Sequence, residues 1–367
     1  MFSSCAIIAL QQDPAKFQCF LTFKRLLSII WLFLLALAFC NNSEPQKKRR
    51  QILQKFTFPH SHSDLGTYLD NLCVDECQQL TNAIQKEISD NGSSSMEIDL
   101  KPWIMKSCAN IFNRYFCSVE RCEYDDEEFT HYCQSFDKVF WEVNNGRAVD
   151  FLPWLMPFFQ YSEAVHVMKS SSEDVRSYVK ENIIASKRQR RNSGVEKTVD
   201  FLDTIMDYID GKANDDSVDP ILTSQSALYA LEDILGGHSA VANIILRILF
   251  DLALEENVEA KKEVTQQISQ TSTTNLISVE DRPSLPRVVA SMHETIRLTC
   301  SPIVPHQATQ DSTIEGNRLT LLEFLNFAAR GPKYCWWNYC LGYRFVAKLP
   351  FLECRCQMVA IHKKITL

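Results

Sequence analysis

Between Gln225 and Ile268 the chain contains no proline, and from Ala230 to Leu254 apolar residues fall on nearly every side of the helix this stretch would form. A helix that is hydrophobic all round must be enclosed by other elements, so this segment demands a large domain built about a central rod. The predicted helix extends towards Ile268, emerging into solvent where Glu255 to Glu263 become strongly charged. With 367 residues, 46% of them hydrophobic, the chain is long enough to enclose it.

Apolar residues three and four apart, with charges between them, predict helices over Gly66 to Ile88, Lys101 to Glu120 and Glu127 to Val143. NGSSS at Asn91 to Ser95 and NNGR at Asn144 to Arg147 signal loops, and another helix begins near Leu285. Asp150 to Phe159 (DFLPWLMPFF) is apolar but broken by two prolines, so it is not a regular helix throughout. It is either a buried loop or an exposed patch for a membrane or partner. Lys187 to Arg191 (KRQRR) reads as a solvated loop between helices. The expected fold class is mainly α.

A formal charge of −7 argues against nucleic acid as a partner, because phosphates require concentrated Lys and Arg. The 14 cysteines, in a helical chain of this length, read as reduced thiols rather than a disulfide framework. Leu26 to Cys40 follows Lys24 and Arg25 and is apolar, yet shorter than the roughly 20 residues that span a bilayer. A signal anchor, an interfacial segment and a buried helix all stay open for it.

Two segments bear chemistry. LGGHSA, Leu235 to Ala240, puts adjacent glycines in a helix interior, where each costs about 1 kcal/mol relative to alanine. Close approach of a flat ligand or of another backbone would offset that cost, and so would tight helix packing. His238 and Ser239 add a titratable ring and a hydroxyl. In HETIR, Glu294 and Arg297 stand one helical turn apart, a spacing that permits an ion pair. Glu173 with Arg176 and Glu315 with Arg318 repeat the pattern, so it carries weight only in context.

In chain order, LGGHSA, HETIR and SPIVPH (Ser301 to His306) resemble the cytochrome P450 superfamily. GGHSAV at Gly236 to Val241 and QKKRR at Gln46 to Arg50 look most like the insect Spook group, which acts in ecdysteroid synthesis. The resemblance covers about Asn41 to Gly316 and implies a P450-like helical domain over 41–316, flanked by an atypical apolar segment over 1–40 and a divergent tail over 317–367. It implies an incomplete P450-like fold with little of the small β-sheets, and haem as cofactor. His238 and Ser239 would manage protons, Gly236 and Gly237 would lie against the haem, and Arg49 and Arg50 would supply charge to it. Glu294 and Arg297 would form a structural pair, and Val304 and Pro305 would line the substrate.

The implied activity is haem-thiolate monooxygenation of a sterol or ecdysteroid precursor with O₂. Electrons would come from NADPH-cytochrome P450 reductase or a similar donor, on the cytoplasmic face of the endoplasmic reticulum membrane. Two family positions depart from the pattern. The tryptophan that helps seat a haem propionate falls at about Asn42. The loop Phe-x-x-Gly-x-Arg-x-Cys-x-Gly, whose thiolate binds iron, is matched only at Cys340-Leu-Gly342, with Lys333, Trp336 and Asn338 at its Phe, Gly and Arg positions. Cys335, Cys340, Cys354 and Cys356 lack the paired spacing of a zinc knuckle. A second function class follows: a non-catalytic P450 remnant that binds a lipid or a partner.

Overall fold

The apolar rod is the helix Ser224–Ala253, and the remaining helices are arranged by what they must cover on it. The computed structural model describes residues 17–19, 44–57, 59–60, 63–90, 92, 97–144, 155–159, 162–194, 200–210, 223–271, 277, 279–299 and short strands within 306–325. In chain order these include strand β1 (Phe17–Cys19) and helices α1 (Glu44–Thr57), α2 (Asp64–Asp90), α3 (Leu100–Cys117) and α4 (Glu127–Asn144). The short α5 (Met156–Phe159) and α6 (Glu163–Tyr178) follow, then a π-helical turn (Val179–Ile184), α7 (Ala185–Ser193) and α8 (Phe201–Ile209). The central helix is α9, followed by α10 (Val258–Thr271) and α11 (Pro286–Thr299). Strands β2 (His306–Ala308), β3 (Ser312–Ile314), β4 (Asn317–Leu319) and β5 (Phe324–Leu325) complete the described elements.

The strands are short and antiparallel. β2 lies between β1 and β5, pairing Cys19 with His306 and His306 with Leu325, while β3 and β4 form a separate hairpin. The expected mainly helical architecture holds, with few and short strands among the described residues.

α9 packs chiefly along α3 and also meets α4, α8, α10 and α11. α3 is itself enclosed: Ile104 to Asn113 are all buried, so two helices rather than one form the axis of the core. Among the described residues α9 is the one helix long and apolar enough to cross a membrane. Its burial between its neighbours accounts for that composition without one. The apolar run Leu26 to Cys40 lies outside the described residues.

α9 ends earlier than its sequence suggests. Leu254 turns to extended geometry (ψ 141°), a 3₁₀ turn spans Glu255–Asn257, and Asn257 Nδ2 donates to the Asp251 carbonyl at 2.8 Å. The predicted single helix is therefore two, broken where a side-chain amide satisfies a carbonyl that the next turn would have used. Pro157 and Phe158 in α5 are exposed, Phe158 at 79%, so that part of the proline-broken segment faces outward.

Lys187 to Arg191 correct the loop reading, because they are helical; Arg188, Gln189 and Arg191 are exposed, whereas Lys187 is not. Lys187 is fully buried and bridges Asp200 at 2.7 Å and Asp203 at 2.8 Å. Arg188 pairs with Asp210, and Arg191 reaches Asp203 at 3.1 Å. Arg190 donates to the Ser118 and Cys117 carbonyls at the end of α3. Asp200 also caps α8, accepting from Asp203 N at 2.8 Å, so one carboxylate both starts a helix and holds a buried ammonium. The π turn explains how Lys187 arrives there. Val175, Val179, Ile183 and Lys187 recur every four residues and are all buried, a period that drifts around an α-helix; one wide turn, with Ala185 N bonded to Lys180 O, resets it.

A second buried charge anchors α2 to α3. Glu76 accepts from Tyr124 Oη at 2.7 Å, Asn110 Nδ2 at 3.2 Å and Arg121 Nε at 3.2 Å, with Arg114 at 3.8 Å. Asn110 also exchanges two hydrogen bonds with the backbone of Cys122, which fixes the loop between α3 and α4.

Replacing Lys187 with alanine leaves Asp200 and Asp203 buried without their cation, and the expected loss is about 3–5 kcal/mol. Urea unfolding measures it; a loss below about 1 kcal/mol would mean that water replaces the ammonium.

Candidate functional site

The start of α9 is fixed by Thr223, whose hydroxyl accepts from Ser226 N at 3.1 Å while Ser226 Oγ accepts from Thr223 N at 2.8 Å. Leu235 to Ser239 then fall midway along the buried rod. A Cβ on Gly236 would lie 2.8 Å from Phe136 Cε1 and 3.2 Å from Phe140 Cε2, and one on Gly237 would lie 2.9 Å from Phe112 Cε1. Phenylalanines of α4 and α3 thus occupy the space that the glycines leave open. Tight helix packing, one of the two reasons open for them at the sequence level, is present.

His238 is fully buried. Its Nδ1 is 2.6 Å from the Leu235 carbonyl, which only accepts, so Nδ1 carries the proton and Nε2 is left as an acceptor. Nε2 has no hydrogen-bond partner among the described residues. Phe136 meets the ring edge-on at 5.1 Å, Tyr132 stacks at 5.9 Å and Phe112 stands at 6.3 Å. Burial pushes the imidazole down to about 4, despite the opposing pull of the Leu235 carbonyl. At neutral pH His238 is therefore an uncharged acceptor in a dry aromatic cage.

Ser239 is also fully buried, and Asn243 Nδ2 donates to its carbonyl at 2.9 Å and reaches its hydroxyl at 3.5 Å. One turn before the glycines, Glu232 receives a two-pronged hydrogen bond from Arg176 of α6, at 2.9 and 2.7 Å. The Arg176 guanidinium lies 4.7 Å from the centre of the Tyr229 ring. Nothing in sequence marked this pair. Arg176 belongs to the Glu-x-x-Arg that starts at Glu173, but its partner stands 56 residues further on.

The structure brings Gly236, Gly237, His238 and Ser239 together on α9, with Glu294 on α11 and Arg50 on α1. Glu294 lies on α11 and is exposed, because Val288, Met292, Thr295 and Ile296 take the inward face. Arg297 shares that helix, but its side chain lies outside the described residues, as does that of Arg49; Arg50 on α1 is exposed. Val304, Pro305 and Cys340 lie outside them altogether.

A haem iron requires a ligand, and a thiolate ligand requires a sulfur that ionises readily. The described thiols run the other way: burial raises Cys108 and Cys117 well above the ordinary thiol value and raises Cys133 too. Among the described residues no group of three His, Cys, Asp or Glu side chains is placed to hold a metal. The described residues therefore do not fit the iron-binding half of a haem site.

The family model for Cytochrome P450 matches residues 35–321. Cytochrome P450 307a1 of Drosophila melanogaster is 32% identical over 287 residues, covering 78% of this chain and 50% of that protein. Probable cytochrome P450 508D1 of Dictyostelium discoideum is 24% identical, covering 80% of this chain and 58% of its own length. A solved zebra fish cytochrome P450 with progesterone superposes with a TM-score of 0.66 at 19% identity, covering 95% of this chain and 78% of that one. The chain spans about half the length of the curated relatives it matches.

Gly236→Ala gains about 1 kcal/mol of helix propensity but drives a methyl into Phe136, an overpacking cost of about 1–3 kcal/mol. The expected net loss is about 1 kcal/mol, and Phe136→Leu in the same chain recovers part of it. A double-mutant cycle in urea checks this, and strict additivity would refute the contact.

Two buried groups also pull stability in opposite directions with pH. Burial raises the Glu76 carboxyl from 4.5 to about 7, so the folded state binds the extra proton and stability falls as pH rises through that window. His238 is lowered from 6.5 to about 4, so the unfolded state binds the extra proton and stability rises with pH between those values. Relative to wild type, Glu76→Gln should gain stability as pH increases from about 4.5 to 7, and His238→Leu should lose it from about 4 to 6.5. Urea midpoints across that range measure both slopes.

Proposed function

This chain belongs to the cytochrome P450 family, and we propose that it carries the oxygen-side helix of a haem-thiolate monooxygenase acting on a sterol or ecdysteroid precursor. The observation that carries this reading is the arrangement of Gly236, Gly237, His238 and Ser239 on one buried turn of the central helix. Haem would supply the activation of O₂ and the electron acceptance that no side chain provides. The described residues do not supply its ligand.

In this reading His238 acts as a neutral imidazole. Its free Nε2 accepts a hydrogen bond from a donor admitted to the cage, and the Leu235 carbonyl holds the tautomer that keeps that lone pair available. Ser239 supplies the hydroxyl beside it, held through Asn243. Gly236 and Gly237 are proposed as cofactor-binding positions on the same turn of the helix. Arg49 and Arg50 are proposed as positive charge towards the cofactor, Val304 and Pro305 as substrate-lining residues, and Glu294 with Arg297 as a structural pair.

Support for the substrate class comes from GGHSAV and QKKRR, which resemble the Spook group. An electron donor of the NADPH-cytochrome P450 reductase type is proposed with it, and so is the cytoplasmic face of the endoplasmic reticulum membrane. The exposed Pro157 and Phe158 are compatible with a membrane surface.

One observation favours the second reading, a non-catalytic P450-like protein that binds a lipid or a partner. Lys333, Trp336 and Asn338 occupy the positions where the iron-ligand loop has Phe, Gly and Arg. A carbon-monoxide difference spectrum of the reduced chain, purified with haem supplied, separates the two readings. A haem-thiolate band that disappears in Cys340→Ser would establish the enzyme and its ligand. No band would leave the non-catalytic reading.

A further inference from the structure

The basic run at the end of α7 stands just ahead of a serine. Arg188, Arg190 and Arg191 lie five, three and two positions before Ser193, and no other serine or threonine in the sequence has arginine at both −3 and −2. Ser193 is the last residue of α7 and is exposed, as is Gly194, which caps the helix in left-handed geometry (φ 68°). The Ser193 hydroxyl donates to the Arg190 carbonyl at 2.8 Å.

The three arginines are held differently. Among the described residues, Arg188 faces Asp210, and Arg191 faces Asp203 at 3.1 Å and Asp207 at 3.6 Å. The Arg188 and Arg191 side chains are exposed, so a competing anion can reach their guanidiniums. Arg190 instead spends its charge on neutral carbonyls, those of Ser118 and Cys117 at the end of α3. Its Nε is buried without a hydrogen-bond partner among the described residues, so the guanidinium is incompletely satisfied where it stands.

We propose that Ser193 is a phosphorylation site for a protein kinase that reads arginines upstream of its target, and that the phosphate draws Arg190 away from the end of α3. Charge patterns of this kind are what such kinases discriminate by. The step moves the γ-phosphoryl group of ATP to Ser193 Oγ: the Oγ–P bond forms, the bond from the γ-phosphorus to its bridging oxygen breaks, ADP leaves with that electron pair, and the hydroxyl proton passes to the base of the kinase. A kinase takes its target extended, so the turn Arg190 to Ser193 opens first. Helix ends are where such opening costs least, and Lys187, fixed by Asp200 and Asp203, confines it to that turn. Once in place, the phosphate has no hydroxyl to donate to the Arg190 carbonyl, and its charge is set against the last carbonyls of α7, the negative end of the helix. Arg190 lies one turn back on the same face, and charge-assisted bonds to phosphate are stronger than those it makes to carbonyls. None of this depends on whether the chain binds haem.

The test incubates the full folded chain, and its Ser193→Ala variant, with Mg·ATP and the catalytic subunit of cyclic-AMP-dependent protein kinase, a kinase selective for arginines at −3 and −2. Peptide mass locates the phosphate, and amide hydrogen exchange follows 114–120 against 104–111 before and after the reaction. The expected result is one phosphate on Ser193, none on that peptide in Ser193→Ala, and exchange about tenfold faster or more in 114–120 of the phosphorylated chain, with 104–111 unchanged. Arg190→Gln without phosphate should loosen 114–120 in the same way, since it removes the same guanidinium. Phosphate that enters Ser193 only when urea unfolds the chain, or that enters other residues instead, would overturn the site. Unchanged exchange in 114–120 after phosphorylation, or in Arg190→Gln, would overturn the coupling to α3.

Discussion

The structure depends on two absent side chains. Because Gly236 and Gly237 carry no Cβ, Phe136 and Phe112 approach the backbone of α9 more closely than any other residue type would allow. α3 and α4 are thereby drawn in against the central rod from two sides. The same rings then wall His238, so the pressure that packs the core also strips water from the imidazole and holds it neutral. Packing and site chemistry have one origin here.

Around this dry axis the chain places its charges in a few enclosed groups. Glu76 with Arg121 and Arg114, Lys187 with Asp200 and Asp203, and Arg176 with Glu232 each join elements far apart in sequence. Taking such charges out of water is costly, and their mutual attraction does little more than offset it. What they add is position. A buried ammonium between two carboxylates has one acceptable register, because displacing it leaves charges buried without a partner.

Much of the helical layout was legible in the sequence, because the spacing of apolar residues survives folding: α2, α3 and α4 lie within a few residues of where periodicity placed them. The break at Leu254 was not, since it depends on an asparagine side chain reaching back to Asp251. KRQRR looked like a solvated loop, and Arg188, Gln189 and Arg191 are exposed, but Lys187 enters the core because Asp200 and Asp203, more than ten positions later, neutralise it. At the site, the buried turn LGGHSA was readable from its glycines. Which rings enclose His238, and the Arg176–Glu232 pair, were not, because both depend on residues tens of positions away. The exposure of Glu294 was not legible either, since its spacing to Arg297 does not say which face of the helix turns outward.

Arg190 adds a dependence on the order in which the protein is made. Ser118 turns left-handed (φ 50°) at the end of α3, and the carbonyls there are bonded by a guanidinium 72 positions later. A chain leaving the ribosome therefore exposes α3 with its last turn unfinished until Arg190 has been added, a delay of roughly 4 to 14 seconds at ordinary synthesis rates. For that interval the end of α3 waits for the side chain that bonds its last carbonyls.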